Sequence, residues 1–180
     1  LRFTNSQSAG VPGEFDYYVF AYSWTPEFCY GNSYPGCSDP QAYWGTDFTI
    51  HGLWPQYMDG GYPATCTSEG FDSSVPDEIG MDTMTKYWPN VQESTSSSDY
   101  DDFWTHEWTK HGTCTGLAQE TYFNTTITLA ETFGTPSQYT AAVGSTVDAD
   151  DLRNWFGGAD KVSLQCTSGK YVVGAFTCWS

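Results

Sequence analysis

The stretch "FWTHEWTKHGTC", residues 103–114, holds two of the chain's three histidines and one of its six basic residues. Wound as a helix at about 100° per residue, it sets His106 four positions before Lys110, and Glu107 four before His111. The two pairs fall on adjacent stripes, so these four polar groups share one face with Phe103. Trp104 and Trp108 lie beside that arc, placed to anchor the helix in a core. Gly112 ends the helix and Cys114 follows closely. The polar tract "STSSSDYDD", 94–102, is expected to be a solvated loop whose last residues cap this helix.

The third histidine stands in "FTIHGLWPQ", 48–56. Its β-prone start reads as a strand ended by Gly52 and Pro55, which puts His51 at a strand terminus, free to project into a cleft. Upstream, the aromatic run from Phe15 to Trp24 reads as a buried strand, after a polar arm over 1–14 that is loosely held. Residues 25–46 are rich in Pro, Gly and Tyr and read as loop. Residues 77–88 carry a mixed helical pattern stopped by Pro89. Further helices fit "AQETYFNTTITLAETF", closed by Gly134, and "ADDLRNWF", capped by Asp148 and ended by Gly157–Gly158. The tail "KVSLQC-TSG-KYVVGAFTCW" reads as a hairpin. The expected fold is α+β over a single domain, 1–180, with a central antiparallel sheet, packed helices and disulfides.

Twenty-two acidic against six basic side chains give a formal charge of −16. That balance argues against broad electrostatic attraction to a polyanion at neutral pH, so any nucleic-acid partner must be gripped locally or met at low pH. The apolar runs, such as "YYVFAY" and "YVVGAF", are far short of the ~20 residues that cross a bilayer, and no membrane partner is expected. No charged-then-apolar leader opens the chain at "LRFTNSQS", so a signal peptide has been removed or never existed.

Six cysteines without a Cys-x-x-Cys favour a disulfide framework over a metal site. Cys29 and Cys37 flank a short Gly/Pro loop, and Cys166 and Cys178 flank "TSGKYVVGAFT". Cys66 and Cys114 remain, and would tie the two histidine segments together. The sequon at Asn124 adds to the case for an oxidising, secretory compartment.

A zinc protease needs histidines four apart on a helix; His106 and His111 are five apart, and Lys110 stands where the second ligand would be. No Gly-x-Ser-x-Gly elbow supports a serine triad. Two histidines from separate segments suit acid–base catalysis, because their ordinary pKa of ~6.5 lets one be neutral and the other protonated. A neighbouring Lys supplies fixed positive charge for a phosphoryl oxygen. Cleavage of RNA through its own 2′-hydroxyl needs this set and no metal or other cofactor.

The segments "FTIHGLWPQ" and "FWTHEWTKHGTC" resemble the two catalytic segments of the ribonuclease T2 family, secreted or vacuolar acid ribonucleases that include the self-incompatibility enzymes of flowers. The likeness extends to "FDYYVFAYSWTPEFC" and to "YWPNV" at 87–91. The resemblance implies His51 as general acid on the leaving 5′-oxygen and His111 as general base at the 2′-hydroxyl. It implies His106 as a phosphate-binding residue, with Glu107 and Lys110 stabilising the pentacoordinate phosphorus. The implied product is a 2′,3′-cyclic phosphate. Cys66–Cys114 matches a disulfide of the family. Trp54 and Tyr62 match aromatics that stack on a base, and Gln56 stands where some fungal relatives carry a base-selecting aspartate. Phe103 and Asn90 match residues near a second base pocket, although Asn90 could equally cap a helix or turn. The resemblance thus implies a monomeric enzyme acting on single-stranded RNA and not on DNA, with an acidic optimum, secreted or held in a vacuole or lysosome. The alternative is a catalytically inactive relative serving storage, defence or binding.

Overall fold

The strand Tyr17–Ser23 is the keel of the molecule: Val19, Phe20, Ala21 and Tyr22 are all buried, so both of its faces are covered. In the computed structural model, which describes residues 7, 8 and 10–180, this strand is the second element. The order runs β1 (Gln7–Ser8), β2 (Tyr17–Ser23), α1 (Thr25–Cys29), α2 (Pro35–Ser38), α3 (Ala42–Thr46), β3 (Thr49–Gln56) and β4 (Tyr62–Pro63). Helices α4 (Val75–Ile79), α5 (Met81–Tyr87), α6 (Asp102–Lys110), α7 (Gln119–Phe133), α8 (Ser137–Ala142) and α9 (Ala149–Trp155) follow. The hairpin β5 (Val162–Thr167) and β6 (Tyr171–Trp179) closes the chain. The main sheet is antiparallel in the order β3-β2-β6-β5, so the expected α+β architecture is what forms.

Several elements depart from the sequence reading. The stretch 25–46 is not plain loop but three short helices, two of them opened by Pro at the first turn, where the missing N–H costs nothing. The pattern over 77–88 is split into α4 and α5 at Gly80, whose φ of +109° only glycine adopts readily. Helix α8 had no counterpart in the reading. Asp101 stands at the N-cap of α6 without a side-chain cap bond, so the serine-rich tract turns into the helix but does not cap it. Asp148, by contrast, accepts the N–H of Asp150 as expected.

Strand β3 does not stop at Gly52 or Pro55, and His51 lies inside it. It is an edge strand, so Pro55 withholds no bond from a neighbour on its open side. Ala21 pairs with Gly52 while Tyr22 pairs with Ile50, leaving His51 as the extra residue of a bulge. That shift of phase lets Ile50 and Leu53 both enter the core, while His51 and Trp54 are left half-buried together.

Two disulfides stand among the described residues, Cys29–Cys37 and Cys66–Cys114. The expected third bridge, Cys166–Cys178, is corrected: both are free thiols. The hairpin turns immediately after Thr167, so Cys166 pairs with Val172 near the turn, while Cys178 pairs with Val19 at the far end of β6. Six residues of extended chain separate Val172 from Cys178, roughly 20 Å, against the ~7 Å limit for a bridge.

Of the polar arm, residues 1–6 and 9 lie outside the described residues. The described part is fastened: β1 pairs in parallel with β4, and the Gly13 N–H donates to the Cys114 carbonyl at 2.9 Å. A Cβ on Gly10 would meet Pro63, Tyr57 and the Cys66 sulfur, so the arm lies close against the loop that carries Tyr62.

The core is aromatic. Trp44, Trp88, Trp104, Trp108, Tyr122 and Phe123 are essentially inaccessible. Trp104 and Trp108 anchor α6 as its periodicity demands, and the Trp104 indole N–H donates to the Trp88 carbonyl at 2.8 Å. Tyr122 of α7 donates its hydroxyl to the Leu53 carbonyl at 3.1 Å, tying the long helix to β3. Helix α6 is thereby fixed with its polar face toward the bulge.

Candidate active site

The bulge and the polar face of α6 meet at Glu107. This carboxyl is 1% exposed, and its Oε2 accepts the indole N–H of Trp54 at 2.7 Å. Its Oε1 lies 3.8 Å from Nε2 of His51. The other ring nitrogen of His51, Nδ1, lies 3.4 Å from the Ser23 hydroxyl. The His51 ring meets Trp54 edge-on at 5.1 Å and Phe103 at 5.4 Å. His111 stacks on the same indole, with centroids 5.1 Å apart at 27°. One tryptophan thus contacts both imidazoles.

Each of these positions has a local cause. His111 is the first residue past α6, where its N–H still bonds to the Glu107 carbonyl and Gly112 lets the chain turn against Trp108. Thr65 donates its N–H to the Lys110 carbonyl at 3.0 Å, and Cys66 donates to Thr113 at 3.2 Å beside the Cys66–Cys114 bond. These links bring Tyr62 to 5.9 Å from the His111 ring, with the Lys110 ammonium 5.8 Å from the Tyr62 centroid.

Burial governs the protons. Glu107 is pushed up to about 8 by burial, against the opposing pull of the Trp54 N–H and of Lys110. His111 is pushed down to about 2, first by burial and then by Lys110, His106 and His51. His51 is lowered to about 4 by burial, then by His106 and Lys110, though 44% of its side chain is accessible from the cleft. His106, exposed on α6, is lowered less, by partial burial and by Lys110. Burial thus favours the neutral forms of the Glu107 carboxyl and of the His51 and His111 imidazoles. An anion entering beside Lys110 would favour the protonated imidazoles. The His111 Nδ1 is buried without a hydrogen-bond partner among the described residues.

A cleft of about 610 Å³ opens from His51, Phe103 and His106. Asn90 lines it, but both ends of its amide are also used in the chain: it donates to the Tyr100 carbonyl at 3.1 Å and accepts the Gln92 N–H at 3.2 Å. That is a turn-closing role, and it leaves its backbone loop on the cleft wall. The two residues matched to base stacking, Trp54 and Tyr62, gather around His111, while Phe103, matched to a second base pocket, lines the cleft beside His51. Gln56 is 6% exposed at the end of β3, two residues past Trp54. Asn124 is exposed on α7 rather than in a loop.

Ser23, Gly52 and Phe176 were missed. Ser23 reaches His51 and Phe176 meets Trp54 at 5.4 Å only through the strand register, which no local pattern encodes. Gly52 was read as a strand breaker. A Cβ there would overlap the Glu107 carboxylate and the Trp54 indole nitrogen.

The sequence model described as the Ribonuclease T2 family matches residues 15–170. Intracellular ribonuclease LX of Solanum lycopersicum is 40% identical over 118 residues, 63% of this chain and 47% of that protein. Ribonuclease DdI of Dictyostelium discoideum is 32% identical over 177 residues, 88% of this chain and 71% of that one. The chain spans about half the length of the tomato relative. Among solved structures, a mutant of RNase MC1 in complex with 5′-GMP superposes with a TM-score of 0.73 at 27% identity, covering 93% of this chain and 90% of that one. With the family's two histidine segments folded into one site, this chain belongs to the ribonuclease T2 family.

Proposed function

We propose that the protein is a metal-independent endoribonuclease that cleaves single-stranded RNA by transphosphorylation to 2′,3′-cyclic phosphate ends. The observation that carries this reading is the pair His51 and His111 packed on one indole, with Glu107, Lys110 and His106 along the adjoining helix. His111, buried and neutral, takes the 2′-hydroxyl proton as the oxygen attacks phosphorus. His51 gives a proton to the departing 5′-oxygen. Lys110 supplies fixed positive charge to the phosphoryl oxygens, His106 adds to it once an anion is bound, and Glu107 presents a neutral O–H to the same charge.

The net charge of −16 fits a site that grips phosphate locally and at acidic pH. Trp54, Tyr62 and Phe103 offer ring surface near the reacting groups, and base stacking of this kind is worth ~1–3 kcal/mol per base. Action as a monomer in a secretory or vacuolar compartment, with a glycan on Asn124, completes the proposal.

The test is incubation with single-stranded RNA and with DNA of the same sequence at about pH 5 in the presence of EDTA. RNA alone should be cut, leaving cyclic phosphate ends, because DNA lacks the nucleophile. Equal cutting of DNA, or loss of activity to the chelator, would sink the mechanism. His51→Asn and His111→Asn should each lower the rate at least ~100-fold, the usual scale of acid–base catalysis.

A further inference from the structure

We propose that Trp54, through its indole N–H, is a positioning residue that locks Glu107 with one oxygen held and the other presented to the reacting phosphate, in a space that Gly52 leaves open. The inference rests on the ribonuclease reading of the site, but assigns Trp54 work beyond offering a face to a base.

The geometry has three parts. The Trp54 N–H donates to Oε2 of a carboxyl that is 1% exposed, at 2.7 Å. Position 52 lies beneath that bond, and any Cβ there would overlap both the Glu107 oxygen and the indole nitrogen. The bulge at His51 then turns the histidine back over the same carboxyl, with Nε2 3.8 Å from Oε1.

The chemical consequence follows from the donor's direction. A neutral carboxylic acid has one carbonyl oxygen and one hydroxyl oxygen. The carbonyl oxygen is the stronger acceptor of the two, so the indole N–H on Oε2 favours the proton on Oε1, the oxygen nearer His51. The O–H is thus aimed to the side where the phosphate reacts. Without the indole N–H the carboxyl is free to exchange its two oxygens, and the aimed donor is lost for part of the time. The face of the same ring against His111 explains why an indole, with a face and an edge donor, stands here.

Trp54→Phe keeps an aromatic face and deletes the N–H, so it separates positioning from stacking. On a dinucleotide substrate, kcat should fall ~10–100-fold while KM stays within ~3-fold, the pattern of an interaction used in the transition state. The C=O stretch of protonated Glu107, identified by its disappearance in Glu107→Gln, should move to higher frequency in Trp54→Phe as its acceptor oxygen loses a donor. Gly52→Ala should lower kcat similarly. Adding Glu107→Asp to Gly52→Ala, which shortens the side chain by one methylene, should recover part of the loss, although Glu107→Asp alone slows the enzyme. A raised KM with parental kcat in Trp54→Phe would reduce Trp54 to a base platform. An unmoved carboxyl band, or parental kcat in Gly52→Ala, would also overturn the proposal. If the parent cleaves no RNA, the ribonuclease reading fails by itself, and the carboxyl band still decides whether the indole holds Glu107.

Discussion

Glu107→Gln should make the protein more stable at pH 8 and less active at every pH. The parent carboxyl is 1% exposed, and burial raises it from 4.5 to about 8. A group whose folded pKa lies above its unfolded value gives stability that is fully present below the unfolded value and lost as pH rises through the folded one. The parent therefore loses stability between about pH 4.5 and 8, whereas the amide, which has no proton to lose, does not. At ~1.4 kcal/mol per pH unit the ceiling on this loss is ~5 kcal/mol. Relaxation of the surroundings around a charge formed in this site brings the expected difference to roughly 2–3 kcal/mol. Gln keeps a carbonyl oxygen for the Trp54 N–H, so packing and that bond survive the change. The lowered histidines are common to both proteins and cancel in the comparison. Urea denaturation without nucleotide at pH 4, 6 and 8 should show curves that nearly coincide at pH 4 and separate steadily toward pH 8. In thermal terms the gap at pH 8 is ~5–10 °C for a chain of this size. Cleavage of RNA should fall ~100-fold or more, since an aimed donor is removed. A stability difference independent of pH, or a parent more stable than the variant at pH 8, would refute the reasoning.

Three other outcomes are expected. Rate profiles should be bell-shaped with a maximum below pH 7, because His51, lowered to about 4, must hold its proton while His111, lowered to about 2, must be free of one; the bound phosphate should raise the limbs of kcat above those of kcat/KM, and a maximum above pH 8 would contradict the assignment. Replacing Cys66 and Cys114 together by Ala opens a loop of 48 residues, for which chain entropy gives a loss of about 4 kcal/mol, measurable by denaturant unfolding; a change under ~1 kcal/mol would mean that the hydrogen bonds around Thr65 and Thr113 hold the join alone. Thiol titration of the unreduced protein should find two reactive groups after unfolding, with exposed Cys166 reacting first in the native state; finding none would restore a third bridge.

Much of the site was legible because its residues are close in sequence. Helical spacing alone groups His106, Glu107, Lys110 and His111 and turns Trp104 and Trp108 to the core; α6 forms with both tryptophans buried, Glu107 buried beside them and His111 as its C-cap. The buried keel strand, the long helix α7, the Asp148 cap and the final hairpin were likewise local patterns. Counting and position pair Cys29–Cys37, Cys66–Cys114 and Cys166–Cys178, and the first two bridges form while the third does not, because counting ignores where a hairpin turns.

The sequence by itself determined which groups are available: three histidines, one lysine and one carboxyl in two segments, on elements whose periods suit helix and strand. Only the tertiary structure decided what those groups are to one another. Register placed Ser23 and Phe176 beside the site, a bulge swung His51 out of alternation, and the packing of α6 on β3 closed Glu107 under Trp54 through the gap at Gly52. Protonation belongs to that second level as well. A carboxyl raised to about 8 and a histidine lowered to about 2 are consequences of desolvation and neighbouring charge, which exist only once distant segments exclude water together.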